Sequence, residues 1–289
     1  MDQAEQAGKA KLFRAMHSGP RLLLLPNAWD AISARIVVAA GFNAIATTSG
    51  GVAWALGYAD GEIAPWDEVV AATARIARAV AVPVTADIES GYGATPAAVG
   101  RAIGDIIGAG AIGVNLEDGL RPDGLKTGTP PIRGIEDAAA RIRAAREAAR
   151  AAGVPLVINA RTDLYIKNIG DEKSRFEEAV TRGRAYLAAG ADCVYPISLR
   201  DPETIGRLVK ALKAPVNINV RAGHPTVAEL EALGVARAST ATALPLMAMG
   251  VVRQALEQLR ATDRFDAINP AMTHPEAQLL LAAGSAQGR

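Results

Sequence analysis

The sequence predicts one parallel (β/α)8 barrel spanning residues 1–289, and three observations carry that expectation. Eight short aliphatic runs follow one another along the chain, each separated from the next by an amphipathic stretch. The seams between units repeat a small or apolar residue followed by glycine, as at Ala40-Gly41, Ala109-Gly110, Ala152-Gly153, Ala189-Gly190 and Leu233-Gly234. Glycine suits the position just past a helix because the left-handed conformation there costs it little. Hydrophobic residues make up 50% of the chain and aromatics only 4%, so Ala, Val, Ile and Leu fill the core, as parallel strands buried on both faces require.

Taken in order, the strand candidates are residues 22–26, 44–48, 83–88, 113–117, 156–160, 193–197, 216–220 and 236–239. Between them Val69, Thr73, Ile76 and Val80 form one helical stripe, and Ile205, Leu208, Val209 and Leu212 form another. Thr95-Pro96 and Asp201-Pro202 each put a capping side chain before a proline in a helix's first turn. Strict alternation of strand and helix implies a parallel sheet, and eight units favour closure over an open doubly wound sheet. One connection breaks the rhythm. Residues 119–134 hold four Gly, three Pro and the basic Arg121, Lys126 and Arg133. Its length and its place after the fourth strand predict a lid.

The balance of charges, net +1, leaves no basic block that reads as a nucleic-acid or membrane footprint. A lone Cys193 excludes an internal disulfide, the N-terminus lacks an apolar signal core, and no apolar run spans a bilayer. A cytoplasmic protein without nucleic-acid or membrane partners is the simplest expectation.

Chemistry in such a barrel belongs where strands run out into the following loops. The third strand ends Asp87-Ile88-Glu89, whose carboxylates stand two apart and so share one side of an extended chain. The fourth ends Asn115-Leu116-Glu117-Asp118, the fifth Asn159-Ala160-Arg161-Thr162-Asp163, and the second Thr48-Ser49-Gly50-Gly51; the seventh carries Asn217 and Asn219. Clustered carboxylates repel unless a proton or hard cation sits among them, and without His or Cys partners they select Mg²⁺ or Mn²⁺ over zinc. Arg161 and the Ser49-Gly50-Gly51 amides would then take a carboxylate or phosphonate of the substrate.

The segments LPNAWD (25–30), TTSGGVAWALGYADGE (47–62), ADIESGYG (86–93), GVNLED (113–118) and INARTD (158–163) resemble the isocitrate lyase/phosphoenolpyruvate mutase superfamily, in order, from about residue 20 to 250. The resemblance implies a (β/α)8 barrel with added C-terminal helices, its eighth helix swapped between subunits of a homo-oligomer, a tetramer or dimer. It also implies Mg²⁺-dependent making or breaking of a C–C or P–C bond beside an α-keto acid, through an enolate. Residue by residue, Asp87 resembles the metal ligand, with Glu89 and Asp60 as acidic residues of the metal site. Glu117 looks like the catalytic acid of the fourth strand and Arg161 the positive partner of the substrate. Ser49, Gly50 and Gly51 resemble the carboxylate-binding loop, and Asn217 a substrate contact. The lyases carry a Cys and a His on the lid; here GLRPDGLKTG has neither, and Lys126 beside Thr127 echoes the phosphonopyruvate enzymes and is the lid's catalytic candidate.

The expected function is therefore a Mg²⁺-dependent lyase acting on a small 2-oxo or 2-hydroxy carboxylate, with C–C cleavage ranked above P–C mutase or hydrolase chemistry. A barrel that keeps metal and carboxylate binding without turnover is the alternative from another class. Cys193 reads as core filler, His17 and His274 as solvated, and Arg141, Arg143, Arg146 and Arg150 as a solvated helix face. His224, Tyr92 and Tyr195 stand at strand ends, where substrate contact and plain packing are both open.

Overall fold

A computed structural model describes residues 2–120 and 131–285. Its elements run α1 Gln3–Met16, β1 Leu23–Leu25, β2 Asn27–Ala28, α2 Ala31–Ala39, β3 Ile45–Thr47, α3 Ser49–Leu56, α4 Trp66–Ala79 and β4 Val84–Asp87. Next come α5 Pro96–Gly108, β5 Gly113–Glu117, α6 Ile135–Ala151, β6 Val157–Thr162, α7 Glu172–Ala188, β7 Cys193–Pro196 and α8 Pro202–Leu212. The chain closes with β8 Asn217–Asn219, α9 Val227–Ala232, β9 Arg237–Ser239, α10 Ala243–Thr262 and α11 His274–Ser285.

All strand pairs are parallel. One sheet runs β2-β3-β4-β5-β6-β7 and a second β1-β9-β8. A parallel bridge between Val194 and Val216 joins β7 to β8, and the first barrel strand joins the other seam. That strand is split because Pro26 has no N–H to give the ladder. Its first half pairs with β9 and its second with β3. Asn27 then stitches the break: its Oδ1 accepts from the amides of Thr240 and Ala241, and its Nδ2 donates to the Thr47 carbonyl. The ring of eight barrel strands is closed, as the alternation predicts.

The expected caps form. The side chains of Thr95 and Asp201 accept from Ala98 and Thr204 amides, each one residue ahead of a proline. Helix α1 plugs the amino end of the barrel. Phe13 is fully buried, and Gln6 donates to the carbonyls of Ile107 and Ala111. His17 follows it inward, so it is buried and not solvated; its Nδ1 lies 2.8 Å from the Phe13 carbonyl, and its ring meets Phe13 edge-on. The arginine run on α6 also divides. Arg143 and Arg150 are exposed, but Arg141 is buried and donates to the carbonyls of Gly93 and Ala94, while Arg146 ties Gly190, Leu156 and Asp192 together. Carbonyls at loop ends recruited these guanidinia, a long-range demand that helical spacing cannot show.

At the carboxyl end α11 lies on α2, where Arg35 Nε donates to the Leu280 carbonyl. Helix α10 buries only Pro245 and leaves Leu246, Met247, Val251, Val252 and Leu256 exposed. No described helix is long and apolar enough to cross a membrane.

Candidate active site

The carboxyl ends of β3 to β6 open on a cavity of about 200 Å³ lined by Ser49, Asp60, Glu62, Glu89, Ser90, Glu117, Gly119, Arg161, Asp163 and Lys167 among others. Strand β6 runs two residues past the expected end and so carries Arg161 on rigid ladder. Arg161 Nη1 lies 2.6 Å from Glu117 Oε2, and its Nε donates to Asp163 Oδ1 at 2.8 Å. Burial would lower the Arg161 pKa, but Glu117, Asp163 and Asp87 outweigh it and hold the guanidinium well above its ordinary value. Glu117 is pushed well up by burial, against the pull of Arg161, with Asp163, Asp87 and Glu89 adding to the push.

Asp87 closes β4. Its backbone amide donates to Thr47 Oγ1, and its carboxylate receives long hydrogen bonds from the amides of Ser49 (3.4 Å) and Glu89 (3.3 Å). Burial raises its pKa first, Arg161 opposes, and Asp60 adds to the rise. Glu89 does not continue the strand. It takes a left-handed backbone with φ 51°, as does Tyr92 with φ 50°, so a tight turn brings Glu89 to the cavity and strand alternation does not. Tyr92 stacks on Trp66 and donates its hydroxyl to Glu89 at 3.2 Å. Burial, with Asp60 and Asp87, raises Glu89 to about 7.

Ser49, Gly50 and Gly51, expected as a loop, are the first turn of α3. Their amides are the ones a helix leaves unpaired, and the helix dipole makes that end attractive to an anion. Contact demands a glycine at 51 and leaves 50 tight. A Cβ on Gly51 would stand 2.6 Å from Thr48 Cγ2, and one on Gly50 would stand 3.2 Å from Asp60 Oδ2. Asp60 thus borders both α3 and the cavity.

One expectation needs correcting. Asn217 does not line the cavity: it is fully buried in the barrel and exchanges hydrogen bonds with Ser239. Among the described residues no three His, Cys, Asp or Glu side chains converge to hold a metal by themselves, so a dication held by Asp87, Glu89 and Asp60 would keep water or substrate in its other positions. Cys193 is buried, as a core filler should be, and burial pushes its thiol up to about 12. Arg121 and Lys126 lie outside the described residues. The stems of their segment pair with each other, Leu120 amide to Pro131 carbonyl and Gly119 bridging Ile132. Arg133, the third basic residue, spans Asp137 and Ser90, whose hydroxyl donates to Glu62.

Glu62, Ser90 and Lys167 line the cavity without having been singled out. Lys167 Nζ donates to the Leu120 carbonyl and sits 3.7 Å from Asp163 Oδ2. Its place in the loop after the fifth barrel strand was the available signal. Asp118 stays behind the cavity wall: Tyr186, Arg182 and the Asp163 amide all bond its carboxylate.

Residues 13–260 match the family model described as phosphoenolpyruvate phosphomutase. Among curated relatives, the 2-methylisocitrate lyase of Escherichia coli (strain K12) is 30% identical over 215 residues, 73% of this chain and 69% of the relative. The oxaloacetate decarboxylase of Rhodopseudomonas palustris (strain BisB18) is 31% identical over 212 residues, 72% and 69% of the two chains. A provisionally named phosphonomutase of Burkholderia cenocepacia J2315 superposes with a TM-score of 0.81 at 42% identity, covering 88% of this chain and 99% of its own. Oxaloacetate acetylhydrolase with its product oxalate gives 0.82 at 28% identity, covering 96% of each chain. Phosphonopyruvate hydrolase with oxalate and Mg²⁺ gives 0.81 at 26%, again covering 96% of each. With a family model matched along most of its length and a barrel shared with these enzymes, the chain belongs to the phosphoenolpyruvate phosphomutase family, within the isocitrate lyase/phosphoenolpyruvate mutase superfamily.

Proposed function

We propose that this chain is a Mg²⁺-dependent lyase that breaks a C–C bond of a small 2-oxo or 2-hydroxy carboxylate, decarboxylation included, through an enolate. One observation carries the reading. The half-buried Arg161 and the Ser49 end of α3 line the same small cavity as Asp60, Glu89 and Glu117, so an anion anchor adjoins a set of oxygens short of positive charge.

The donor chemistry fits a hard dication. The described lining offers carboxylate and hydroxyl oxygens and no His or Cys, and burial together with neighbouring negative charge pushes Asp87 and Glu89 up. Asp87, with Asp60 and Glu89 around it, would hold Mg²⁺ or Mn²⁺, the remaining positions going to water as Mg²⁺ prefers. Bound there, the ion supplies stabilisation of the charge that develops on the substrate's enolate oxygen. Arg161 and the amides of Ser49, Gly50 and Gly51 orient the substrate carboxylate, and Glu117 holds the guanidinium in place. The scissile C–C bond breaks with its electron pair entering the enolate; the other fragment leaves as CO₂ from a 2-oxo acid, or as a carbonyl compound from a 2-hydroxy acid whose hydroxyl proton passes to a cavity carboxylate, and the enolate carbon takes up a proton.

Two features support C–C over P–C cleavage and a small substrate. The described lining has five carboxylates (Asp60, Glu62, Glu89, Glu117, Asp163) against Arg161 and Lys167, a poor surrounding for a phosphoryl group whose oxygens call for several cations. At about 200 Å³ the cavity is also smaller than pockets for larger ligands. The exposed apolar residues of α10 support a homo-oligomer that exchanges its eighth helix.

Turnover of oxaloacetate, 2-methylisocitrate, 2,3-dimethylmalate and phosphonopyruvate with Mg²⁺, followed by carbonyl product, CO₂ and phosphate release, tests the reading. C–C cleavage is expected, and its loss in Asp87→Ala with an unchanged circular dichroism spectrum. Phosphate release as the fastest reaction would overturn the bond assignment. No turnover despite Mg²⁺ and oxalate binding would leave a binding barrel instead.

A further inference from the structure

The middle of the barrel holds a charge that the cavity above does not account for. Arg237, on β9, is fully buried. Its Nη2 donates to Asn115 Oδ1 at 3.2 Å, while Nε and Nη1 have no hydrogen-bond partner among the described residues. Its guanidinium carbon stands 6.0 Å from the Phe13 ring centroid, a weak cation–π contact. Neither neighbour supplies the missing counter-charge. Cys193 is held as the thiol by burial, and burial keeps His17 neutral down to about 3. An unpaired guanidinium in a protein interior is costly.

The negative charge within its reach lies one layer up. Asn115 pairs in register with Asp87 on one side and Asn159 on the other, and donates no charge of its own. Glu117 stands two residues further along β5, on the same face of the strand. Asn159 Nδ2 also bonds Asn115 Oδ1, so the amide that receives Arg237 is fixed from two sides. The inner face of the barrel therefore rises from a buried cation, through two asparagines, to the carboxylate-rich cavity.

We propose that Arg237 is the internal counter-charge of the carboxylate site, a positioning residue that weakens binding of a bare dication and strengthens binding of the anion beside it. The inference rests on the metal-and-carboxylate reading of the cavity. A fixed positive charge below the site opposes a second positive charge entering it and attracts a negative one. The interior screens this field far less than water does, so a one-layer separation suffices for about a fivefold effect on each equilibrium. The site then fills with metal and carboxylate together, because each ligand offsets what Arg237 does to the other.

Calorimetric titration of Mg²⁺ alone, then of oxalate at saturating Mg²⁺, tests this in wild type, Arg237→Met and Arg237→Lys. Arg237→Met is expected to bind Mg²⁺ about fivefold tighter and oxalate about fivefold more weakly. Arg237→Lys keeps the charge and stays within about twofold of wild type on both. A residue that merely props up the barrel would weaken both ligands when replaced, so the opposite signs are the signature. Should Arg237→Met not fold, Arg237→Gln removes the charge, keeps a donor for Asn115, and is expected to shift both affinities in the same opposite senses. Affinities that move together, or not at all, in the folded neutral variants would overturn the counter-charge role while leaving the cavity reading intact. If wild type binds neither Mg²⁺ nor oxalate, both fall.

Discussion

Arg161 Nη1 and Glu117 Oε2 lie 2.6 Å apart at the floor of the cavity, and the same guanidinium holds Asp163 through Nε. The fork is thus committed on two edges, which fixes its plane and leaves a terminal nitrogen for a ligand. A lysine would keep the charge but could not serve both carboxylates from fixed positions.

Arg161→Lys is therefore expected to weaken oxalate binding in Mg²⁺ by at least about tenfold, the loss of one charge-assisted hydrogen bond in a dry site. Titration of the folded variant reads this directly. Oxalate affinity within twofold of wild type would remove Arg161 from the carboxylate anchor.

Gly119 bears on the same pair from the opposite side. A Cβ there would stand 2.6 Å from Asp163 Oδ2 and 3.0 Å from Glu117 Oε1. Gly119→Ala must push one or both carboxylates off Arg161, so ligand affinity is expected to drop several-fold while the barrel's melting temperature shifts by only a few degrees. The displaced atoms are side-chain ends at the cavity wall, not core. An alanine variant with unchanged oxalate binding would show that the contact has slack.

The strands were legible because they are short aliphatic runs alternating with helical stripes, and Gly113–Glu117 matches its expected limits. What the chain does at the strand ends was harder to read. The period of two put Glu89 beside Asp87 for a reason the structure replaces with a turn, because the left-handed residues Glu89 and Tyr92 carry no mark in their own side chains. Ser49-Gly50-Gly51 resembles a carboxylate-binding loop, yet it is the first turn of α3, where Trp29, Thr48 and Pro245 leave no room for a side chain at 51. Arg141, His17 and Arg237 were beyond sequence reasoning in a stricter sense. Their partners are Gly93, Phe13 and Asn115, and for Arg141 and Arg237 those are neighbours only once the barrel has closed.

Cys193 separates this chain from enzymes that keep a lid cysteine. It is fully buried on β7, with its thiol pushed up to about 12 by burial. Cys193→Ser is expected to cost about 1–2 kcal/mol of stability, since a hydroxyl replaces a thiol in an apolar setting, and to leave kcat within about twofold. Denaturant unfolding and initial rates measured on one preparation check both halves. A tenfold fall in kcat with unchanged stability would place Cys193 in the chemistry.

His17 makes the fold sensitive to acid in a window its pKa defines. Burial is the largest cause of its depression, Arg237 adds to it, the Phe13 carbonyl opposes it, and the result is a folded-state value of about 3 against 6.5 when exposed. The unfolded chain therefore binds a proton that the native barrel refuses, and stability must rise with pH across that interval. Above about pH 7 the residue contributes no slope; below it, stability falls progressively until about pH 3, by about 4 kcal/mol in all. Asp87, Glu89 and Glu117 slope the other way, because burial raises their folded-state values, so the total curve alone is ambiguous. The difference between wild type and His17→Gln isolates the term, as glutamine keeps a donor for the Phe13 carbonyl and does not titrate. Unfolding free energies at about pH 7, 5 and 4 should show wild type losing ground to the variant as the pH falls. Parallel curves would mean that His17 takes up its proton in the native state and that Arg237, beside it, does not hold it neutral.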